Sequence, residues 1–233
     1  MASGATSLAG LPEVLAAWRF DRTLKVLSQS EHAVIRDYAR ATWPARDLAP
    51  HEAPLLALDF ELDGLARDAH LLQAGWVPFA GRSISLGCAQ SLDIRSDAVL
   101  DDQAVTIHGI GEERAAKGTK ISEVLAQLIE VLAGRVIVAH AARIEVSAIK
   151  RAARAVFDVD LPVRSICTLH LEQRLNPNAQ ARDAYRLANA RARYGLPDYA
   201  AHDALTDAIA AAELFHAQLT RLGERVRLSD IER

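Results

Sequence analysis

The segment Leu55–Glu61 constrains the fold of this 233-residue chain more than any other part of the sequence. It reads Leu-Leu-Ala-Leu-Asp-Phe-Glu, and a short apolar run of this kind is typical of a strand buried on both faces. Because side chains alternate along a strand, Asp59 and Glu61 leave one face while Leu58 and Phe60 leave the other. The sequence therefore predicts two carboxylates that converge at the end of a buried strand, where a core domain begins.

Two carboxylates that share one place in a protein interior are unfavourable unless their charge is compensated. Divalent cations are the usual compensation, and carboxylate oxygens favour magnesium or manganese over zinc. Asp59 and Glu61 are thus candidate metal ligands. The alternative is that the strand ends in solvent and both carboxylates are hydrated, since acidic residues are common on protein surfaces.

The chain after residue 54 predicts an α/β domain. Two further strand-like runs follow the first and are separated by Ala80–Arg82, which indicates an antiparallel meander. A helical stripe at 121–132 precedes a short buried run at Val136–Ala139, and helices alternate with strands from there on. The meander strands are predicted at 71–79 and 83–91, and the later helices at 146–156, 182–193 and 204–219. A mixed sheet flanked by helices is the expected fold.

The first 53 residues have a different character. Apolar residues recur at helical spacing from Leu11 to Trp43, Pro44 ends this pattern, and residues 45–54 are typical of a linker. We therefore expect an N-terminal helical extension at 1–53 and one domain at 54–233. The extension is a candidate homodimer interface, and alternatively it packs over the core of its own domain.

Composition and charge limit the partners of the chain. The net charge is −3 and the isoelectric point about 6.2, so any nucleic-acid binding must be local. Arginines cluster at 143–154, 182–193 and 221–227, where they could follow a phosphate backbone or simply cover solvated helix faces. Cys88 and Cys167 lack the spacing of a zinc or redox site. With no secretory leader and no apolar run of bilayer length, a cytoplasmic protein without membrane contact is expected.

Four segments resemble, in the same order, the motifs of the DnaQ-like (DEDDh) exonucleases. Asp59–Leu65 is similar to the first motif, usually written Asp-x-Glu-Thr-Thr-Gly-Leu, and His108–Ile110 to a short segment that follows it. Val138–Glu145 looks like the second motif, and Tyr199–Ala208 resembles the third, His-x-x-x-x-Asp. Each motif alone is weak, but their common order on matching secondary structure makes chance agreement improbable. The resemblance covers roughly residues 54 to 220.

The resemblance implies a ribonuclease-H-like fold and two divalent cations, Mg²⁺ or Mn²⁺. Four carboxylates would be the metal ligands: Asp59, Glu61, Glu145 and Asp207. Asp59 would bridge both ions, which activate water and stabilise charge on the scissile phosphate. His202 would be the general base, because an imidazole can take a proton from water near neutral pH. A histidine at the start of a helix is otherwise more often a surface or capping residue.

The same resemblance places the terminal nucleotide of a substrate against Leu65, His108 and Ile110. Apolar side chains there would contact a base without reading its identity, which implies little sequence specificity. The alternative is that Leu65 and Ile110 are core residues.

The chain departs from the family pattern at several positions. Leu62 and Asp63 replace the two threonines of the first motif, and Ala141 and Ile144 replace the asparagine and phenylalanine of the second. These changes concern substrate binding. Glu145 stands where the family has aspartate, but every ligand position still carries a carboxylate, so we expect an active enzyme.

The expected function is that of a metal-dependent 3′→5′ exonuclease acting on single-stranded DNA or RNA, short oligonucleotides included, to release nucleoside monophosphates. The chain ends about two dozen residues after Asp207, which argues against tethering to a polymerase and favours a free-standing role in DNA repair or RNA turnover. The alternative is a catalytically weakened module that binds nucleic-acid ends or nucleotides, or regulates a partner. Metal-dependent release of mononucleotides separates the two.

Overall fold

One mixed sheet organises the part of the chain described by the computed structural model, which covers residues 11–64, 69–96, 106, 108–180 and 183–232. The strands are β1 (Leu55–Leu62), β2 (Leu71–Ala80), β3 (Ser83–Ile84), β4 (Gln90–Asp93), β5 (Val136–Ala139) and β6 (Ser165–Cys167). The order is β3-β2-β1-β5-β6, with β4 also paired to β2. The pairs β1–β2, β2–β3 and β2–β4 are antiparallel, and β1–β5 and β5–β6 are parallel. The predicted fold class is confirmed.

Helices cover both faces of this sheet. They are α1 (Leu11–Leu27), α2 (Ala33–Arg40), α3 (Glu112–Ala116), α4 (Ile121–Leu132), α5 (Arg143–Phe157), α6 (Thr168–Leu175), α7 (Leu187–Ala192), α8 (Ala204–Leu222) and α9 (Leu228–Ile231). Among the described residues, no helix combines the length and apolarity that crossing a bilayer requires.

The alternation of β1 divides the core in two. Leu56, Leu58 and Phe60 join the cluster formed with α1, α2, α4 and α5. Leu55 and Ala57 face the opposite cluster, which is formed with α6 and α8. Because side chains alternate, Asp59 and Glu61 continue the face of Leu55 and Ala57, so they point toward α8.

Gly75 brings α8 into close contact with the sheet. It lies on β2 directly opposite Asp59. A Cβ atom at this position would lie 2.1 Å from the backbone nitrogen of Leu205 and 2.2 Å from the carbonyl carbon of Ala204. No side chain fits in that space, so only glycine lets the first turn of α8 rest on β2. This contact places the start of α8 over the carboxylate end of β1.

The N-terminal helices pack on the core of the sheet. Phe20 and Leu24 of α1 and Ile35 and Tyr38 of α2 are buried in the same cluster as β1. This packing agrees with the alternative that the N-terminal extension packs over the core of its own domain. Leu15, Trp18 and Val26 lie on the outer side of α1 and remain exposed.

A buried ion pair ties the segment after α2 to the far edge of the sheet. Glu232 accepts hydrogen bonds from Arg164 at 2.9 and 2.5 Å, and from Arg46 at 3.1 Å. Arg164 also donates to the Pro44 carbonyl at 2.6 Å. Removing one partner of such a pair typically costs about 3–5 kcal/mol, because the remaining charge stays buried. The linker is therefore a fixed part of the structure.

Local predictions were wrong in two places. The single strand predicted at 83–91 is divided into β3 and β4 by a 3₁₀ turn at Leu86–Cys88. The helix predicted at 182–193 is described only as α7, over Leu187–Ala192. In both segments the residue pattern predicted an element longer than the one that backbone hydrogen bonds form.

Candidate active site

Three of the predicted ligands meet at the end of β1. Carboxylate oxygens of Asp59, Glu61 and Asp207 all lie within 4.8 Å of one another. The first two are brought together by strand alternation, and the third lies in the first turn of α8. Asp203 caps that helix, accepting hydrogen bonds from the Thr206 backbone at 3.0 Å and its hydroxyl at 2.8 Å. The cap fixes where α8 begins and thereby where Asp207 points.

The electrostatics of this cluster are those of an uncompensated anionic site. Burial raises the pKa of Asp59 well above its usual range, and the charges of Glu145, Asp207 and Glu61 raise it further. Burial, followed by the charges of Asp207 and Asp203, raises the pKa of Glu61 to about 7. The local potential therefore favours a bound cation.

Glu145, the ligand predicted from the second motif, is not one of the three carboxylates within 4.8 Å of one another, but its charge acts on Asp59. It lies in the first turn of α5, which follows β5, and β5 runs parallel to β1. Its side chain is only 3% exposed, and burial raises its pKa to about 8. The Oε2 atom is buried and has no hydrogen-bond partner. A buried oxygen without a donor and three converging carboxylates fit divalent cations, which bind through oxygen ligands.

His140, the histidine of the second motif, anchors the connection from β5 to α5. Its Nδ1 lies 2.9 Å from Thr168 Oγ1, and its Nε2 lies 2.8 Å from the carbonyl oxygen of Tyr185. The next residue, Ala141, has a left-handed backbone with φ of 67°. Asparagine, the residue of the family pattern at this position, tolerates this conformation better than alanine.

His202 lies beside Asp207 in a strained backbone conformation. Its φ is 69°, and its backbone N–H donates to Asp207 Oδ2 at 2.7 Å. The side chain is exposed, and a charge on it would lower the pKa of Asp207 and of His108. Non-glycine residues with positive φ concentrate at functional sites. The imidazole is therefore exposed to solvent and near enough to Asp207 for its charge to act on that carboxylate.

Two of the three predicted substrate contacts, His108 and Ile110, lie in different surroundings. His108 lies near the site, where burial lowers its pKa, a hydrogen bond to the Leu62 backbone raises it, and His202 lowers it again. Ile110 is fully buried in a small cluster with Leu72, so it offers no surface to a base, and the core interpretation is correct for it. Leu65 lies outside the described residues.

Sequence reasoning missed two side chains that complete the site. The Tyr199 hydroxyl donates to Asp207 Oδ1 at 2.8 Å. Gln73 of β2, only 2% exposed, accepts from the Ala204 backbone N–H at 2.9 Å and holds the start of α8. The sequence did contain a signal for the role of Gln73. A polar residue and a glycine, Gln73 and Gly75, stand at alternate positions of an otherwise apolar strand.

A mixed sheet of this order, with carboxylates at the end of its central strand and on two following helices, defines the ribonuclease-H-like class of folds. The exonuclease family model named RNase_T matches residues 56–215, more than half of the chain, and the protein belongs to this family. The DnaQ-like resemblance of the motifs is thereby confirmed.

Individual relatives agree with this assignment. A Mycobacterium tuberculosis protein named as a bifunctional exonuclease/endonuclease is 27% identical over 194 residues, which cover 79% of this chain and 30% of that protein. The chain therefore spans about a third of the length of this relative. Escherichia coli exonuclease I, solved with a dA16 oligonucleotide, superimposes with a TM-score of 0.61 at 17% identity, covering 77% of this chain and 42% of that one.

A second solved structure matches nearly over its whole length. Exonuclease X, in complex with 5′ overhanging duplex DNA, has a TM-score of 0.58 at 24% identity and covers 76% of this chain and 98% of that one. At these identities the two structures establish a shared fold.

Proposed function

We propose that the protein is a metal-dependent 3′→5′ exonuclease that hydrolyses phosphodiester bonds at the ends of single-stranded DNA or RNA and releases nucleoside monophosphates. The observation that carries the proposal is the convergence of Asp59, Glu61 and Asp207 within 4.8 Å. Water is a poor nucleophile toward an anionic phosphodiester. Without cations, a site that carries several carboxylates would also repel the phosphodiester, because both are negatively charged.

The four carboxylates have one role in this proposal, which is to hold two divalent cations, Mg²⁺ or Mn²⁺. Such ions, when bound, supply an activated water and stabilise negative charge on the scissile phosphate and the leaving 3′ oxygen. Asp59 is the central ligand, because the charges of the other three all raise its pKa. Glu145 contributes its unpaired Oε2.

His202 is proposed as the general base. An exposed imidazole next to Asp207 can reach a water at the open side of the cluster and return the proton to solvent. Its left-handed backbone directs the N–H toward Asp207, which keeps the residue in place while the ring is exposed to solvent.

Nucleic acid is the proposed partner because exonuclease I and exonuclease X, which share the fold, were solved with DNA. The net charge of −3 leaves binding to local features. Arg143 is exposed at the start of α5, two residues before Glu145, and is suitably placed to contact a phosphate. His108 lies on the His202 side of the site, where a terminal nucleotide would rest.

The test is hydrolysis of single-stranded DNA, single-stranded RNA and a dinucleotide, each labelled at the 5′ end, with EDTA, Mg²⁺ or Mn²⁺. We expect a ladder that shortens from the 3′ end, mononucleotide products and no reaction in EDTA. Internal cuts that precede end shortening would indicate an endonuclease. Equal hydrolysis in EDTA would exclude the metal mechanism.

A second candidate function is a binding module for nucleic-acid ends with weakened catalysis. The replacement of the family's aspartate by Glu145 favours it, since the longer side chain alters one coordination position. Tight binding of a 3′ end without release of mononucleotides, in either metal, would support this candidate over the exonuclease.

A further inference from the structure

The carboxylate of Asp207 is held at both oxygens by its own chain. Oδ1 accepts the Tyr199 hydroxyl at 2.8 Å, and Oδ2 accepts the backbone N–H of His202 at 2.7 Å. A carboxylate has about four acceptor positions, so one on each oxygen remains for a cation. The two donors therefore determine which lone pairs face Asp59 and Glu61.

The ring of Tyr199 is itself fixed by a buried cation. The Arg191 guanidinium lies 4.9 Å from the ring centroid, and Arg191 is only 2% exposed. It donates to the Ala210 carbonyl at 2.8 Å and to the Pro197 carbonyl at 3.1 Å, and it pairs with Glu213 at 2.7 Å. Arg191 is thus anchored to α8 and to the segment that precedes Tyr199, which leaves the phenol little freedom.

Asp207 needs such a constraint because its neighbours repel it. Carboxylate oxygens of Asp59 and Glu61 lie within 4.8 Å, and a free aspartate would rotate its charge away from them. A phenol donor opposes that rotation and stabilises the carboxylate anion.

We propose that Tyr199 is a positioning residue that holds the Asp207 carboxylate in the orientation in which it binds a divalent cation. Arg191 supports it by fixing the ring. The inference rests on the proposed metal-dependent function and adds a residue outside the carboxylates and the histidine. It also gives a use to a tyrosine that the third motif does not specify.

The experiment compares two tyrosine variants of the full chain. Tyr199→Phe removes the hydroxyl that contacts Asp207. Tyr194→Phe is the matched control, because its hydroxyl also donates to a carboxylate, Glu172 Oε2 at 2.8 Å, on the α6 side of α8. Mn²⁺ affinity is measured by titration calorimetry without nucleic acid. Loss of a residue that orients a metal ligand typically weakens binding about 10–100-fold, which we expect for Tyr199→Phe, with Tyr194→Phe within about twofold of the unmodified protein.

A double-mutant cycle with Asp207→Asn identifies the route of the effect. If Tyr199 acts through Asp207, Tyr199→Phe will change Mn²⁺ affinity by less than about twofold in the Asp207→Asn background. Equal Mn²⁺ affinity of Tyr199→Phe and the unmodified protein would overturn the inference and leave the exonuclease proposal intact. A protein that binds Mn²⁺ but hydrolyses no nucleic acid would remove the exonuclease proposal, while a 10–100-fold loss in Tyr199→Phe would still support the inference.

Discussion

Glu145 and Glu172 are two buried glutamates that the same fold treats in opposite ways. Glu172 is fully buried, and it accepts hydrogen bonds from Asn176, Arg193, Tyr194 and Gln218 at 2.7–2.9 Å. Burial alone would raise its pKa, but the bonds from Gln218, Arg193 and Tyr194 outweigh burial, and the pKa is lowered.

Glu145 has the same side chain and similar burial without those donors. Its Oε2 has no partner, and its pKa is raised to about 8. The chain can evidently surround a buried carboxylate with donors, and it does so around Glu172, where α6, α7 and α8 meet. The lack of a donor at Glu145 Oε2 is therefore a property of the site. An oxygen that must bind a cation has to keep a lone pair free for it, as Oε2 does.

The largest expected effect is on catalysis. Asp59→Asn keeps the shape of the side chain but removes its charge, so hydrolysis in Mn²⁺ should fall at least about a hundredfold, since charge stabilisation at both ions depends on it. Glu172→Gln is the control, and its Mn²⁺ affinity, measured by calorimetry, should stay within about twofold of that of the unmodified protein. If Asp59→Asn hydrolysed DNA at the unmodified rate, the two-ion assignment would fail.

The next effect is on stability and has its source at Glu172. Glu172→Gln should lower the free energy of unfolding by about 3 kcal/mol, because Arg193 loses its partner and a new amide meets donors instead of acceptors. Urea denaturation in EDTA measures it. Glu224→Gln, a change at an exposed acid, is the control and should stay within about 0.5 kcal/mol. Equal stability of both variants would show that the Glu172 cluster contributes little.

The third effect is a pH dependence of the metal-free protein. At pH 6 the folded protein holds protons on Glu145 and Glu61, whose pKa values are raised to about 8 and about 7, while the unfolded chain has released them. The folded state therefore binds more protons, so its stability falls as pH rises from 6 to 8. Urea denaturation in EDTA at several pH values measures the slope.

Glu145→Gln separates this contribution from those of other groups. The variant should be more stable than the unmodified protein by about 1–3 kcal/mol at pH 8 and show a smaller slope between pH 7 and 8. If the stability of the two proteins changed with pH in parallel, burial would not raise the pKa of Glu145.

The smallest effect extends the comparison to the backbone. Ala141 has a φ of 67°, a left-handed conformation that is unfavourable for alanine. Ala141→Asn should therefore raise the free energy of unfolding by about 0.5–1 kcal/mol, because asparagine adopts this conformation more readily. Ala116, an exposed residue at the end of α3 without a positive φ, supplies the control: Ala116→Asn gains no such relief. An equal change at both positions would exclude backbone strain as the cause.

Much of the site could be predicted from the sequence, in part by local rules and in part by resemblance. Alternation along one apolar strand was enough to pair Asp59 with Glu61, whereas His202 and Asp207 were predicted from the resemblance to the third motif and lie at the start of α8. Tyr199 could not be found in this way, since its contact depends on a bend at His202 that spacing does not encode. Whether Ile110 was core or surface depended on Leu72, about 40 residues away in the sequence.

The geometry of this site depends on the lack of a Cβ atom at Gly75. The position carries no charge, binds no ion and donates to no ligand, yet a single added methyl group would meet the backbone of α8 at 2.1 Å. Either α8 or β2 would have to move, and Asp207 would move with it relative to Asp59. A related sequence that keeps every carboxylate and the histidine can thus still lose the site. When related sequences are compared for retained activity, this glycine should be checked together with the metal ligands.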